Sequence, residues 1–106
     1  MARFDVYANP DMDERKLVPF LLDVQNDYLH GLDTRVVIPL LNASALQLRA
    51  KGLNAELEVA GKTVVMETAA IGAIPTGELR RPVANLAHHQ LTIQDALDSL
   101  FGSYCK

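Results

Sequence analysis

The side chains that could carry chemistry in this sequence are few and scattered. His88 and His89 are adjacent, and neighbouring residues of a helix point in different directions, so they are poorly placed to share a metal ion. Arg80 and Arg81 are fewer cations than a phosphate-binding surface usually presents. Cys105 lies in a predicted frayed end, whereas a nucleophile must be held beside a base. These residues therefore predict no catalytic centre, no metal site and no cofactor.

Carboxylates are the remaining candidates for acid–base chemistry, which needs burial or a close charge to shift a pKa. Residues 11–16 hold three acids and two bases in one predicted loop, so we expect a solvated cluster of compensating charges. Asp23 differs because it interrupts the apolar run LVPFLLDV. It either faces solvent from a one-sided strand or is buried beside a hydrogen-bond partner. We expect the first, since lone carboxylates are rarely buried.

The composition is that of one globular domain spanning residues 1–106. Hydrophobic residues make up 49% of the chain and charged residues 22%, and the net charge of -3 leaves no electrostatic footprint for nucleic acid. Cys105 is the only cysteine, so no internal disulfide is possible and a reducing compartment is expected. The first apolar run contains Asp5, unlike a signal peptide, and no run approaches the roughly 20 residues of a membrane helix. We expect a cytoplasmic protein.

The elements that must position these residues are mostly strands. RFDVY alternates with period two, LVPFLLDVQ reads as a strand in which Pro19 favours an edge position or a bulge, and RVVIPLL is rich in β-branched residues. LEVAGKTVVMET predicts a hairpin around Ala60–Gly61. AAIGAIPTGEL reads as a strand fragment interrupted by Gly and Pro, and NASALQLRAKGLNA as a short helical turn or an irregular loop.

The last segment carries one apolar stripe with helical spacing, and Gly102 is well placed to end the helix. We expect Phe101 to complete the core-facing stripe, whereas Tyr104 lies outside it and is free to contact a partner. About five strands followed by one helix predict a mainly β fold, a small barrel or strongly bent sheet packed by the terminal helix. The stripe comprises Ile93, Ala96, Leu97, Leu100 and Phe101.

Five stretches together resemble the CcdB toxin family of bacterial toxin–antitoxin modules. They are FDVY, LLDVQND, TRVVIPL, a segment ending in IP and the terminal segment VANLAHHQLTIQDALDSLF, in the order that the family has them. They span nearly the whole chain, and the most specific feature is LDVQND followed about ten residues later by RVVIPL.

The resemblance implies an SH3-like β-barrel with a C-terminal helix, a fold shared with MazF toxins, assembled as a homodimer. It implies a type II toxin that is not an enzyme: it binds the A subunit of DNA gyrase and traps the gyrase–DNA cleavage complex. It also implies neutralisation by a CcdA-type antitoxin. Operator DNA would be bound, for transcriptional repression, only through the toxin–antitoxin complex.

Carried over to this sequence, the gyrase contact of the family falls on a loop pair and on the chain end. The pair is Tyr28 and Leu29, and the chain-end residues are Phe101, Gly102 and Tyr104. The family's Trp-Gly-Ile tail is not reproduced here, although a shift of one residue places Phe101–Gly102 where Trp-Gly stands.

Two alternatives accompany this prediction. One is an inert homologue that binds antitoxin but not gyrase. The other is a MazF-like endoribonuclease, which would need cations and a general acid or base over one sheet face. Its only suppliers would be Arg3, Arg15, Lys16 and His30.

Overall fold

One antiparallel sheet and a terminal helix form the fold. The computed structural model describes residues 1–29, 31–47 and 49–102. In that part of the chain the strands pair in the order β4-β5-β3-β2-β1-β7, and β6 pairs with β3 beside β5. The strongly curved, nearly closed sheet with one C-terminal helix confirms the predicted fold class. The elements are β1 (Asp5–Ala8), β2 (Phe20–Asp23), β3 (Thr34–Asn42), β4 (Glu56–Val59), β5 (Lys62–Met66), β6 (Gly72–Pro75), β7 (Ala84–Asn85) and α1 (Gln90–Phe101).

The long central strand β3 organises the sheet because it serves two partners along one edge. Its first half pairs with β6, from Thr34 to Val37, and its second half pairs with β5, from Leu40 to Asn42. Pro39 lies where the partner changes, so its missing N–H leaves no ladder bond unmade. Its carbonyl oxygen still accepts the N–H of Glu67 at 3.0 Å.

Strand β2 lies between β1 and β3, so the edge position suggested by Pro19 is wrong. Pro19 directly precedes the strand, where no ladder N–H is required, and its carbonyl oxygen accepts the N–H of Asn9 at 3.0 Å. Successive β2 side chains alternate between two apolar clusters. Leu22 belongs to the main core beneath α1, and Leu21 to a smaller cluster on the opposite face.

The β4–β5 hairpin forms as predicted, with Val59 paired to Lys62 across Ala60–Gly61. Both turn residues have positive φ, 50° at Ala60 and 80° at Gly61, which is the backbone of a type I′ turn. The backbone twist of this turn matches the twist of the two flanking strands, so two residues are enough to connect β4 and β5. The segment before the hairpin begins with the 3₁₀ turn Ala43–Ala45, in agreement with the predicted short helical turn.

Helix α1 packs against the main core through three buried residues, Ile93, Ala96 and Leu97. The expectation that Phe101 completes this stripe is wrong, because the core ends one turn earlier and Phe101 is 70% exposed. Gly102 ends the helix as predicted: its φ of 81° is left-handed, and its N–H donates to the carbonyl oxygen of Asp98 at 2.9 Å. In the described part of the chain no helix is long and apolar enough to span a bilayer.

Candidate partner-binding site

The connection from β2 to β3 contains the 3₁₀ turn Asp27–Leu29, which carries the predicted loop pair. The turn forms because Asn26 caps it. Its Oδ1 accepts the N–H of Tyr28 at 2.9 Å, and its carbonyl oxygen accepts the N–H of Leu29 at 2.9 Å. With its backbone satisfied locally, the turn projects its side chains outward. Tyr28 is 91% exposed and Leu29 is 50% exposed.

Contacts from neighbouring elements hold the Asp27–Leu29 turn in place. The N–H of Arg3 donates to Asp27 Oδ1 at 2.7 Å, and Gln25 Nε2 donates to the carbonyl oxygen of Leu29 at 3.3 Å. Gln25 Oε1 in turn accepts the N–H of Val36 at 3.0 Å, which joins the turn to β3. Each end of the turn is therefore tied to a neighbouring segment, so the exposed side chains are presented from a fixed backbone.

Beneath the turn lies a buried ion pair. Arg35 Nε and Nη2 donate to the two carboxylate oxygens of Asp23 at 2.7 and 2.9 Å, and the side chains are 4% and 0% exposed. The expectation that Asp23 faces solvent is therefore wrong. The register pairs Asp23 with Val37, which places Arg35 two residues further along the same face, within reach of the carboxylate. Asp23 also accepts the N–H of Gln25 at 3.0 Å, so burial leaves neither oxygen without a partner.

The ion pair alters the chemistry of its neighbours. The hydrogen bond from Arg35 to Asp23 raises the pKa of Arg35 above its ordinary value, so the guanidinium keeps its charge at any working pH. Tyr7 is buried on the same face, and burial, followed by the negative charge of Asp5, raises its pKa to about 12. Neither group is set up to exchange protons near neutrality, and the network is structural.

A groove of about 420 Å³ separates the Asp27–Leu29 turn from the end of α1. Leu29 lines one side and Phe101 the other, so the structure brings these two predicted site residues together. The rim is polar, with Asn26 and Gln94 among its residues. The floor is apolar and comes from four side chains on different segments: Val24, Val36, Ile71 and Leu97.

Arg3 bridges the two sides of this groove. Its Nε donates to the carbonyl oxygen of Val24 at 3.2 Å, and its Nη2 donates to Gln94 Oε1 on α1 at 2.9 Å. Gln94 Nε2 continues the chain to Asp98 Oδ1 at 3.0 Å. Since the N–H of Arg3 also holds Asp27, one residue couples the turn to the helix. The spacing of the two sides of the groove thus depends on Arg3.

The other predicted site residues have the following places. Tyr28 adjoins Leu29 and points to solvent, and Gly102 is exposed at the helix end. Tyr104 and His30 lie outside the described residues. Of the cations weighed for RNA cleavage, Arg3 is held at the groove by Val24 and Gln94, and Arg15 bonds to the carbonyl oxygen of Asn9 in another part of the surface.

Several residues that shape the site carried weak sequence signals. Arg35 begins the β-branched run RVVIPLL. A charge in one buried strand suggests an opposite charge on the strand paired with it, and here that opposite charge is Asp23. No local pattern identifies Gln25, Arg3 or Ile71 as site residues, because their roles come from contacts far along the chain. Within the described ranges, no three His, Cys, Asp or Glu side chains converge as metal ligands would.

Comparison with known proteins settles the family. The family model described as "CcdB protein" matches residues 3–102, nearly the full length. The chain belongs to the CcdB family. This CcdB-family protein is therefore a toxin of a toxin–antitoxin system, with an antitoxin as partner.

Among solved structures, the CcdB-family chain is similar to Mycobacterium tuberculosis toxin MazF-mt6. The identity is 14% and the TM-score 0.68, over 95% of this chain and 97% of that chain. At that identity the likeness establishes a common fold. No curated protein matches the sequence at a significant level.

Proposed function

We propose that this CcdB-family toxin binds the A subunit of DNA gyrase and traps the gyrase–DNA cleavage complex. It acts in the cytoplasm as a homodimer and a binding protein, not as an enzyme. A CcdA-type antitoxin neutralises it, and operator DNA is bound only through the toxin–antitoxin complex.

The observation that carries this proposal is one exposed apolar surface around the groove. Tyr28 and Leu29 from the turn and Phe101 from the helix are all exposed, although a monomer gains by burying such side chains. They are also positions at which the family resemblance places the gyrase contact. Aromatic side chains around an apolar pocket are the usual energetic centre of a protein interface.

The chemistry of the surface suggests how a partner would bind. The apolar floor of the groove accepts a hydrophobic side chain from the partner, and Phe101 and Tyr28 pack along the partner's backbone. Asn26 and Gln94 at the rim offer hydrogen bonds that fix the orientation. Because Arg3 and the buried ion pair hold both sides of the groove, little conformational entropy is lost on binding.

A gyrase cleavage assay tests the proposal. Supercoiled plasmid, gyrase, ATP and the purified toxin are incubated and then treated with detergent and protease, and toxin-dependent linear DNA is expected. Phe101→Ala should raise the toxin concentration needed by about tenfold or more, the usual cost of truncating an interface anchor. Leu91→Ala is the matched control: Leu91 is 80% exposed at the other end of α1, away from the groove, and its loss should change nothing.

The opposite results separate the alternatives. No linear DNA at a large molar excess of toxin would refute gyrase trapping. If the protein then binds its antitoxin tightly without arresting growth, it is the inert homologue. Cutting of a long single-stranded RNA by the purified protein would instead identify the endoribonuclease. Equal potency of Phe101→Ala and the wild type would move the contact away from this groove.

A further inference from the structure

A second groove, of about 410 Å³, lies on the opposite face of the sheet. Leu21 and Val37 at its floor alternate along their strands with Leu22 and Ile38, which face the main core. The rest of the apolar floor is only partly covered and consists of Val18, Pro39 and Ile74. None of these residues belongs to the site proposed for gyrase.

Carboxylates surround this floor without compensating cations. Asp11, Glu14, Glu67 and Glu78 line the groove, and neither lysine nor arginine is among its lining residues. Among the described residues none of the four makes an ion pair, and only Asp11 has a hydrogen bond to its side chain, from the N–H of Asp13. The groove itself therefore presents one sign of charge around an apolar floor. Two cations, Arg15 and Arg80, line a neighbouring hollow that shares Glu78.

The edge of the groove also carries backbone N–H and C=O groups that bond to no neighbouring strand among the described residues. In the described part of the chain, β6 pairs with β3 alone. Val36, the residue opposite Ala73, turns its N–H to Gln25 Oε1 and its carbonyl oxygen to the N–H of Val24, both away from β6. The alternating pattern of an antiparallel ladder then directs the N–H and C=O of Ala73 outward from β3, at the edge of the groove.

From these three features we infer that the groove binds an extended basic peptide segment of a protein partner. The segment adds alongside β6 through the backbone of Ala73, which is the strand-addition mode of peptide recognition. Its alternate side chains point in opposite directions, so one set enters the apolar floor. The long Lys or Arg side chains of the other set bend back to the carboxylates at the rim of the groove, Glu14, Glu67 and Glu78. This activity goes beyond gyrase binding and uses the opposite face of the sheet.

Fluorescence anisotropy with a short labelled peptide in which leucine and lysine alternate tests the inference. We expect saturable binding that weakens as salt is raised. Peptides with glutamate for lysine, or serine for leucine, should bind at least tenfold more weakly. In one further peptide the backbone nitrogens of all leucines are N-methylated, and in another the backbone nitrogens of all lysines are N-methylated. Only one of them should lose binding, because alternate N–H groups of a strand face opposite sides.

Matched double variants separate the groove from the overall charge. Glu14→Gln with Glu78→Gln should weaken binding at least tenfold, whereas Glu56→Gln with Glu58→Gln changes the net charge equally on β4 and should leave binding unchanged. Three results would overturn the inference. They are no binding of the leucine–lysine peptide at all, an equal loss of binding in the two double variants, and equal effects of the two N-methylated peptides. Gyrase trapping by the Glu14/Glu78 variant should stay at the wild-type level, so either proposal can fail without the other.

Discussion

Replacing Arg35 by methionine tests the buried ion pair beneath the Asp27–Leu29 turn. The change removes both charged donors from Asp23, which is 0% exposed and cannot turn to water. The carboxylate would keep a single bond, from the N–H of Gln25 at 3.0 Å. An unpaired charge in this position should destabilise the fold strongly, because its desolvation is no longer offset.

The size of the effect follows from the two lost bonds, at 2.7 and 2.9 Å. A hydrogen bond to a charged group contributes about 1.5–3 kcal/mol, and breaking a buried pair from one side costs about 3–5 kcal/mol. We expect Arg35→Met to lower the free energy of unfolding by about 3–5 kcal/mol. Since a domain has only about 5–15 kcal/mol in total, the variant should be marginal.

Equilibrium urea unfolding followed by circular dichroism gives the measurement, because the chain has no tryptophan to report by fluorescence. Asp23→Asn combined with Arg35→Met is the deciding variant. It removes both charges yet keeps an oxygen for the N–H of Gln25. It should therefore be at least about 1–2 kcal/mol more stable than Arg35→Met alone. Arg35→Lys should fall in between, since one ammonium cannot satisfy both oxygens.

Two results would refute this reasoning. Arg35→Met with a loss below about 1 kcal/mol would mean that Asp23 is solvated or has another partner. A double variant no more stable than Arg35→Met would mean that the cost comes from lost packing of the long side chain and not from the charge.

Three further predictions concern single positions. Ala60→Asn should stabilise by about 0.5–1 kcal/mol in thermal unfolding, since Asn tolerates the positive φ of a type I′ turn better than Ala; a loss would contradict the turn type. Tyr7 should ionise near pH 12 in an ultraviolet titration. Its raised pKa adds roughly 2–3 kcal/mol to the free energy of unfolding below pH 10, and this contribution is lost as the pH rises towards 12. Tyr7→Phe should abolish that pH dependence. In urea unfolding, Ile93→Ala should lower the free energy of unfolding by about 2–5 kcal/mol and Phe101→Ala by less than about 0.5 kcal/mol, because Ile93 is buried and Phe101 is exposed. Similar losses in the two variants would refute the placement of α1.

Asp23 and Phe101 mark the limit of prediction from sequence. The sequence pattern marks both as unusual, and general preferences assign each the more common environment, solvent for a carboxylate and core for an aromatic on a helical stripe. Asp23 is buried because its register with β3 brings Arg35 within hydrogen-bond distance. Phe101 is exposed because the helix extends one turn beyond the core. Neither fact is visible in the neighbouring residues.

The features that follow from the sequence alone are local. Alternation in RFDVY and the apolar or β-branched runs LVPFLLDVQ and RVVIPLL locate the first three strands. Ala60–Gly61 locates the hairpin turn, and the stripe followed by Gly102 locates the helix and its end. These features depend on backbone preferences and on residues a few positions apart. That Leu29 and Phe101 face each other across one groove follows only from the folded chain. Their meeting depends on strand pairing, sheet curvature and the Arg3 bridge, which join residues far apart in the sequence.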